Sequence, residues 1–404
     1  MTQAAEDKAP ITWKVFVLLS IIFPMFLLLL CEGVFRLLLF AGAFQYENKN
    51  SVQLEMPSWM VPGTTKPKTF SKQEIEWMAN FQSGNGFRVH LVPSQTFSFV
   101  DTFSWKEGAK PRFTVKSNNH GFRGDDFSLK KQADSIRIVA FGDSSTFGWG
   151  VSDDETYLAR LLAEIRKHYP QHDFELINFA MPGDSSEFGK LIFDTYIDQL
   201  SPDIAIFGFG ANDARLATLP HRKAVSFFQK QGALQRVRSM LLRNSRLIQA
   251  ISTFLSTLSE NSEGSVSLPG EKGPAVSIKE YRENLRYFHR RSAQAGASAI
   301  FFVAACTPPS YQKAMRKVAE KQGAMYIPAQ VLLRQSIPEI QAGRVQHPQL
   351  ETIQRDYGPL LGRHPVLHVT SDACHPNALG HEIIERNLAS SAISKIALMS
   401  RAKY

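Results

Sequence analysis

The stretch Ile136–Gly150, IRIVAFGDSSTFGWG, decides the fold. The run from Ile136 to Phe141 stops abruptly at Gly142-Asp143-Ser144. It reads as a buried strand feeding a tight turn at the edge of a sheet. A strand that ends in Gly-x-Ser and gives way to an amphipathic helix holds a serine hydroxyl where substrate reaches it. That arrangement suits nucleophilic catalysis.

Downstream the pattern is regular. A helix is expected from about Asp154 to His168, opened by a capping box of Ser152 and Glu155. Tyr157, Leu158, Leu161, Leu162 and Ile165 form its apolar face. Strand Phe174–Ala180, helix Glu187–Leu200 and strand Ile204–Phe209 follow. After an insertion come helix Ile278–Ala295, strand Ala299–Ala304, helix Tyr311–Gln322 and a last helix from Ala378 to Leu398. Strands alternating with helices imply a three-layer α/β/α fold on a parallel, flavodoxin-like sheet. Ligands in such folds bind beyond the carboxyl ends of the strands. The loops after Phe141, Ala180 and Phe209 should therefore converge.

Those loops carry Gly142-Asp143-Ser144, Gly183-Asp184-Ser185 and Gly210-Ala211-Asn212-Asp213. Near the C-terminus stands Asp372-Ala373-Cys374-His375-Pro376-Asn377. Together these blocks resemble the SGNH (GDSL-type) hydrolase superfamily over about residues 118–398. That superfamily's blocks supply serine, glycine, asparagine and histidine in this chain order. The turn Asn119–Gly124, NHGFRG, and an apolar N-terminal segment are similar to its membrane-anchored bacterial branch. Position 145, usually apolar in the family, is Ser145 here. The motif spacing puts the nucleophile at Ser144 and makes Ser145 the first residue of the following turn.

The chemistry can be argued from the residues themselves. A neutral serine hydroxyl is a poor nucleophile and needs a base. His375 can serve, and Asp372, three residues earlier, can hold the imidazole in the right tautomer. The oxyanion of a tetrahedral intermediate needs preorganised donors. The resemblance implies the backbone N–H groups of Ser144 and Gly183 and the side-chain amide of Asn212. Asp143 and Asp213 are expected to hydrogen-bond the loops, and His381 to be structural. Nothing in the sequence makes Cys374 a nucleophile. Gly183–Lys190, GDSSEFGK, is not a phosphate loop: five residues separate its glycines, and Leu191 occupies the Ser/Thr position. No cofactor and no metal are expected.

Four segments are expected along the chain. Residues 1–14 form a polar tail. Residues 15–44 form a transmembrane helix, with Pro24 as a kink and Glu32 and Arg36 one turn apart near its far end. Residues 45–117 hold a linker and an N-terminal elaboration expected to pack on the main domain. Residues 118–404 form the hydrolase domain, with a basic helical insertion at 215–277. About 20 apolar residues span a bilayer, which favours a span over three alternatives. These are a signal peptide ending at Ala41-Gly42-Ala43, a lipoprotein site at Cys31 and a buried core helix. Within the elaboration, Ser71–Glu74 is expected to start a short helix through Phe81. Phe87–Val92, Thr96–Val100 and Arg112–Lys116 are expected to be strands.

Composition narrows the partners. The net charge of +9 is uneven: no acidic residue lies between Asp213 and Glu260, a stretch carrying eight Lys or Arg. Apolar residues at 3–4 spacing from Leu234 to Leu258 make residues 233–258 a basic amphipathic helix. It can pack on the main domain, meet anionic lipid or act as a lid. Sparse aromatic residues argue against nucleic acid. Three cysteines do not make a disulfide framework, and none has metal-site spacing with another.

The expected protein is a single-pass membrane serine esterase with a periplasmic catalytic domain. It should act on O-acyl esters, most simply O-acetyl groups on envelope carbohydrate, with lipid or another small ester second. An O-acyltransferase using the same triad and an inactive envelope scaffold are the alternatives.

Overall fold

The computed structural model describes residues 20, 22–42, 81–83, 89–217, 220–229, 245, 247, 248, 250, 251 and 273–402. The chain divides into two compact units. One comprises Met1–Glu55 and Lys230–Val266, the other Met56–Gln229 and Ser267–Tyr404.

The larger unit is built on a five-stranded sheet. Its strands are β1 (Ile136–Gly142), β2 (Phe174–Asn178), β3 (Ile204–Gly208), β4 (Ala299–Val303) and β5 (Met325–Ile327). All neighbours are parallel, in the spatial order β5-β4-β3-β1-β2. This is the doubly wound order, and its switch point lies between β1 and β3. Every residue of β1 is buried, as a sheet covered on both faces requires. Side chains alternate across it. Ile136, Ile138 and Ala140 join a core with Tyr157, Leu161, Leu388 and Ile396. Val139 and Phe141 join the opposite core with Phe193, Phe207, Phe288 and Phe302.

One residue of β1 breaks the apolar pattern. Arg137 is fully buried. Its guanidinium donates to Glu175 at 2.7 Å and to the carbonyls of Leu129, Leu200 and Ser128 at 2.8, 2.9 and 2.9 Å. A buried cation persists because its partner and hydrogen bonds replace the lost water.

The expected elements are present with small shifts. The Ser152–Glu155 capping box forms, but it closes a 3-10 turn, Asp153–Glu155. Thr156 then caps the α-helix Tyr157–His168, accepting from the Ala159 N–H at 3.1 Å. Strand β2 ends at Asn178, whose side chain accepts from the Ala180 N–H at 3.0 Å. Strand β5 and the helices Ala329–Gln341 and Leu350–Leu361 were not expected. Pro338 and Pro359 lie inside those helices, where proline is normally a stop signal.

The strands upstream of position 118 pack on the core of the larger unit. Strands Thr96–Val100 and Arg112–Lys116 pair antiparallel and send Phe97, Phe99, Phe113 and Val115 into the same core as Phe141, Phe147 and Trp149. Phe81 opens a strand, Phe81–Ser83, that pairs with Val89–Leu91. The helix expected upstream of it, and the Pro-marked linker, lie outside the described residues.

In the smaller unit, helix Phe23–Phe40 has 18 residues and none is buried. That overturns the buried-core-helix alternative. Pro24 stands in the first turn, where it is tolerated, and does not kink the interior. Glu32 pairs with Arg36 at 2.7 Å. Glu32 also accepts from the Ser245 hydroxyl at 2.6 Å and the Leu247 N–H at 3.0 Å. The amphipathic helix expected at 233–258 lies outside the described residues except at 245, 247, 248, 250 and 251.

Candidate active site

Strand β1 ends in a turn that becomes the short helix Ser144–Phe147. Asp143 caps this helix, accepting from the Ser145 N–H at 3.0 Å, and its own N–H donates to Gly208 O of β3 at 2.9 Å. Ser144 is left half-buried, whereas Ser145 is buried. The adjacent hydroxyls are thereby distinguished: of the two, Ser144 Oγ meets an imidazole.

The imidazole is that of His375. Its Nε2 lies 2.8 Å from Ser144 Oγ, and its Nδ1 lies 2.7 Å from Asp372 Oδ2. Asp372 Oδ1 accepts from the backbone N–H groups of Cys374 and His375, at 3.0 and 2.7 Å, so the carboxylate is locked to its own loop. With imidazole neutral, Nδ1–H donates to Asp372 and Nε2 accepts from the Ser144 hydroxyl. Burial of His375 opposes the cation, but the hydrogen bond and charge of Asp372 outweigh it and raise the imidazole pKa. Burial likewise pushes Asp372 up, and His375 reverses this to a net lowering.

The other two sequence blocks reach the same end of the sheet. Gly183 is half-buried with φ of +87°, a conformation that favours glycine. Asn212 sits in the short helix Ala211–Ala214 after β3, buried, with its amide donating to Asp184 O at 3.0 Å. An amide carries two N–H donors, so one is anchored to the Gly183 loop while the second remains. Asp213 holds the next turn by accepting from the N–H and hydroxyl of Ser186. Burial raises Asp143 and Asp213 to about 7. His381 accepts from the Tyr157 N–H at 3.1 Å and burial lowers its pKa to about 3, so it is a structural acceptor.

The NHGFRG turn supports the nucleophile from behind. Arg123, buried, donates to the carbonyls of Phe147, Gly148 and Val151 at 3.0, 2.7 and 2.7 Å and to Asp153 at 2.7 Å. Gly148 has φ of +88°, and a Cβ there would meet the Arg123 guanidinium at 2.9 Å.

Five residues beside the site were given no part in it by the sequence. Asp101, from the N-terminal strand pair, accepts from the Trp149 indole at 2.9 Å, and Trp149 N–H donates to Ser144 O at 2.9 Å. Burial raises the Asp101 pKa. The Phe103 ring stacks on His375 with centroids 5.4 Å apart. Cys306 and Cys374 form a disulfide that ties the loop after β4 to the His375 loop. Trp149 and Cys374 had a local signal, lying in the nucleophile stretch and in the histidine block. The others meet the site through contacts between residues far apart in sequence.

A serine, a histidine and an aspartate in hydrogen-bonded series, at the carboxyl end of a doubly wound sheet, define a serine hydrolase. Residues 140–383 match the model of the GDSL-like Lipase/Acylhydrolase family, and the chain belongs to it. It is a serine ester hydrolase. Similar solved structures include LAE5, an alpha/beta hydrolase from the metagenome of Lake Arreo, Spain. It is 17% identical, covers 65% of this chain and 98% of its own, and has a TM-score of 0.37. Axe2, an acetylxylan esterase from Geobacillus stearothermophilus, is 14% identical, with coverages of 64% and 95% and a TM-score of 0.36. The psychrotrophic esterase EstA from Pseudoalteromonas sp. is 14% identical, with coverages of 65% and 100% and a TM-score of 0.36. No curated protein matches the chain in sequence.

Proposed function

We propose that this chain is a membrane-anchored esterase that removes small O-acyl groups, acetyl foremost, from carbohydrate of the cell envelope. The observation that carries the reading is the 2.8 Å contact between His375 Nε2 and Ser144 Oγ. Ser144 Oγ attacks the ester carbonyl carbon while His375 Nε2 takes its proton. The oxyanion is held by the N–H groups of Ser144 and Gly183 and the free amide N–H of Asn212. Collapse breaks the bond to the alcohol oxygen, which receives the proton from His375. Water repeats the sequence on the acyl-enzyme, releasing the acid and restoring Ser144.

Two features support a location outside the cytoplasm. Helix Phe23–Phe40, with 18 residues, is about 27 Å long, close to the thickness of a bilayer's hydrocarbon core. The Cys306–Cys374 disulfide belongs in an oxidising compartment. The polar tail then lies inside and the esterase outside. Substrate class rests on the resemblance to membrane-anchored relatives and on this placement.

The test is labelling by a fluorophosphonate probe and hydrolysis of p-nitrophenyl acetate and acetylated polysaccharide by wild type and Ser144→Ala. The expected result is labelling and turnover lost together in the variant. A folded wild type that takes up no probe at Ser144 overturns the reading. Carbonate extraction of cell fractions tests the anchor, and release of the intact chain into the soluble fraction counts against it.

A further inference from the structure

We propose that the segment Asp101–Trp105 is the subsite for the alcohol half of the ester, an aromatic platform built for a sugar ring. The inference rests on the esterase reading and deepens it.

The segment inverts the usual pattern of burial. Its residues Asp101 and Ser104 are buried, at 1% and 2% exposure, while Phe103 and Trp105 are 46% and 40% exposed and Thr102 is exposed as well. Among the described residues of the larger unit, these are the two exposed large aromatic side chains. The inversion is held by specific bonds. Asp101 Oδ1 accepts from the Trp149 indole at 2.9 Å and the Ser104 N–H at 3.2 Å. Ser104 Oγ pairs with Tyr357 OH at 2.6 Å, and Trp105 N–H donates to Ser371 O, on the His375 loop, at 2.9 Å. Lys110 closes the turn by donating to the carbonyls of Ser104 and Lys106, both at 2.7 Å. A loop fastened this firmly with two aromatics outward presents a surface.

The chemistry says what meets that surface. In acyl transfer the carbonyl oxygen goes to the oxyanion donors, and the alcohol oxygen must reach His375 Nε2 for protonation. The ring stacked on that imidazole is Phe103, at 5.4 Å, and Phe103 also meets Trp149 edge-on at 5.6 Å. Trp105 stands edge-on to His364 at 5.1 Å. The platform therefore lies against the imidazole that must protonate the leaving alcohol. A pyranose has apolar C–H faces and a polar rim, and it suits exposed rings set among hydrogen-bonding groups. An acyl chain demands an enclosed apolar groove.

The experiment compares wild type, Phe103→Ala, Trp105→Ala, Phe103→Tyr and Trp105→Phe on acetylated xylo-oligosaccharide, p-nitrophenyl acetate and p-nitrophenyl octanoate. For the alanine variants, kcat/KM on the oligosaccharide should fall about tenfold further than on p-nitrophenyl acetate, mostly through KM. The aromatic replacements should restore the ratio. Equal losses on oligosaccharide and p-nitrophenyl acetate overturn the proposal. So does a selective loss on the octanoate, which places an acyl chain on the platform, and so does a probe-reactive wild type inert on the oligosaccharide. Ser144→Ala separates the two layers: if it retains p-nitrophenyl acetate turnover, the esterase site itself is misassigned.

Discussion

Both nitrogens of His375 are engaged, Nε2 with Ser144 Oγ at 2.8 Å and Nδ1 with Asp372 Oδ2 at 2.7 Å. The imidazole is thus oriented before substrate arrives, and its basicity is set by a neighbour it cannot leave. A base must be unprotonated to act. Asp372 raises the His375 pKa, so the proton persists to higher pH than on a free imidazole. kcat/KM is expected to fall as pH is lowered through a value above the ordinary imidazole pKa of about 6.5. A pH–rate profile whose acid limb lies below that value contradicts the assignment. Asp372→Asn should move the limb to lower pH and cut kcat by up to about 10⁴ through the wrong tautomer.

Asn212 spends one amide N–H on Asp184 O, at 3.0 Å. If the second serves the oxyanion, Asn212→Ala should lower kcat by about 10²–10³. KM for p-nitrophenyl acetate should change little, because the lost interaction exists only in the transition state. Steady-state kinetics on the two forms decide it. A change confined to KM assigns Asn212 to ground-state binding instead.

The disulfide joins residues 68 apart in sequence. Closing a loop of that length constrains the unfolded chain by about 4 kcal/mol in the entropy model. Its Cys374 end sits between Asp372 and His375, so loss of the bridge also loosens the base. Cys306→Ser/Cys374→Ser, or reduction by dithiothreitol, should lower the denaturation midpoint and kcat together. Unchanged kcat in the folded, reduced enzyme shows that the loop is held without it.

Arg123 closes three carbonyls around the nucleophile's helix and pairs with Asp153 at 2.7 Å. Arg123→Ala leaves buried carbonyls without donors and should cost about 3 kcal/mol of stability, measured by urea denaturation. Arg123→Lys is expected to recover only part of this, since an ammonium cannot reproduce the planar fork.

The N-terminal strand pair shows the limit of local reading. Phe97 and Phe99 alternate as a strand should, and the strands were legible from that alternation. What they pack against was not, because Phe99 meets Trp149 across fifty positions of chain, with ring centroids 6.0 Å apart. The core reaches back along the chain to Leu91 in the same way. Arg137 was absorbed into an apolar run because the run's period is that of a buried strand. Only the carbonyls that converge on it in the fold explain its presence.

The sequence by itself determined the alternation of strands and helices, and with it the parallel sheet and the end at which a site must form. It also determined the four motif blocks, since each is a short turn whose residue types are dictated locally: Gly142-Asp143-Ser144, Gly183, Asn212, and a carboxylate three residues before its histidine. Tertiary structure decided that Asp101 and Phe103 stand beside the Ser144–His375 pair. It also decided that Cys306 and Cys374, which have no recognisable spacing, lie close enough to bond. Local conformation is set by neighbours in the chain, and those features are set by neighbours in space.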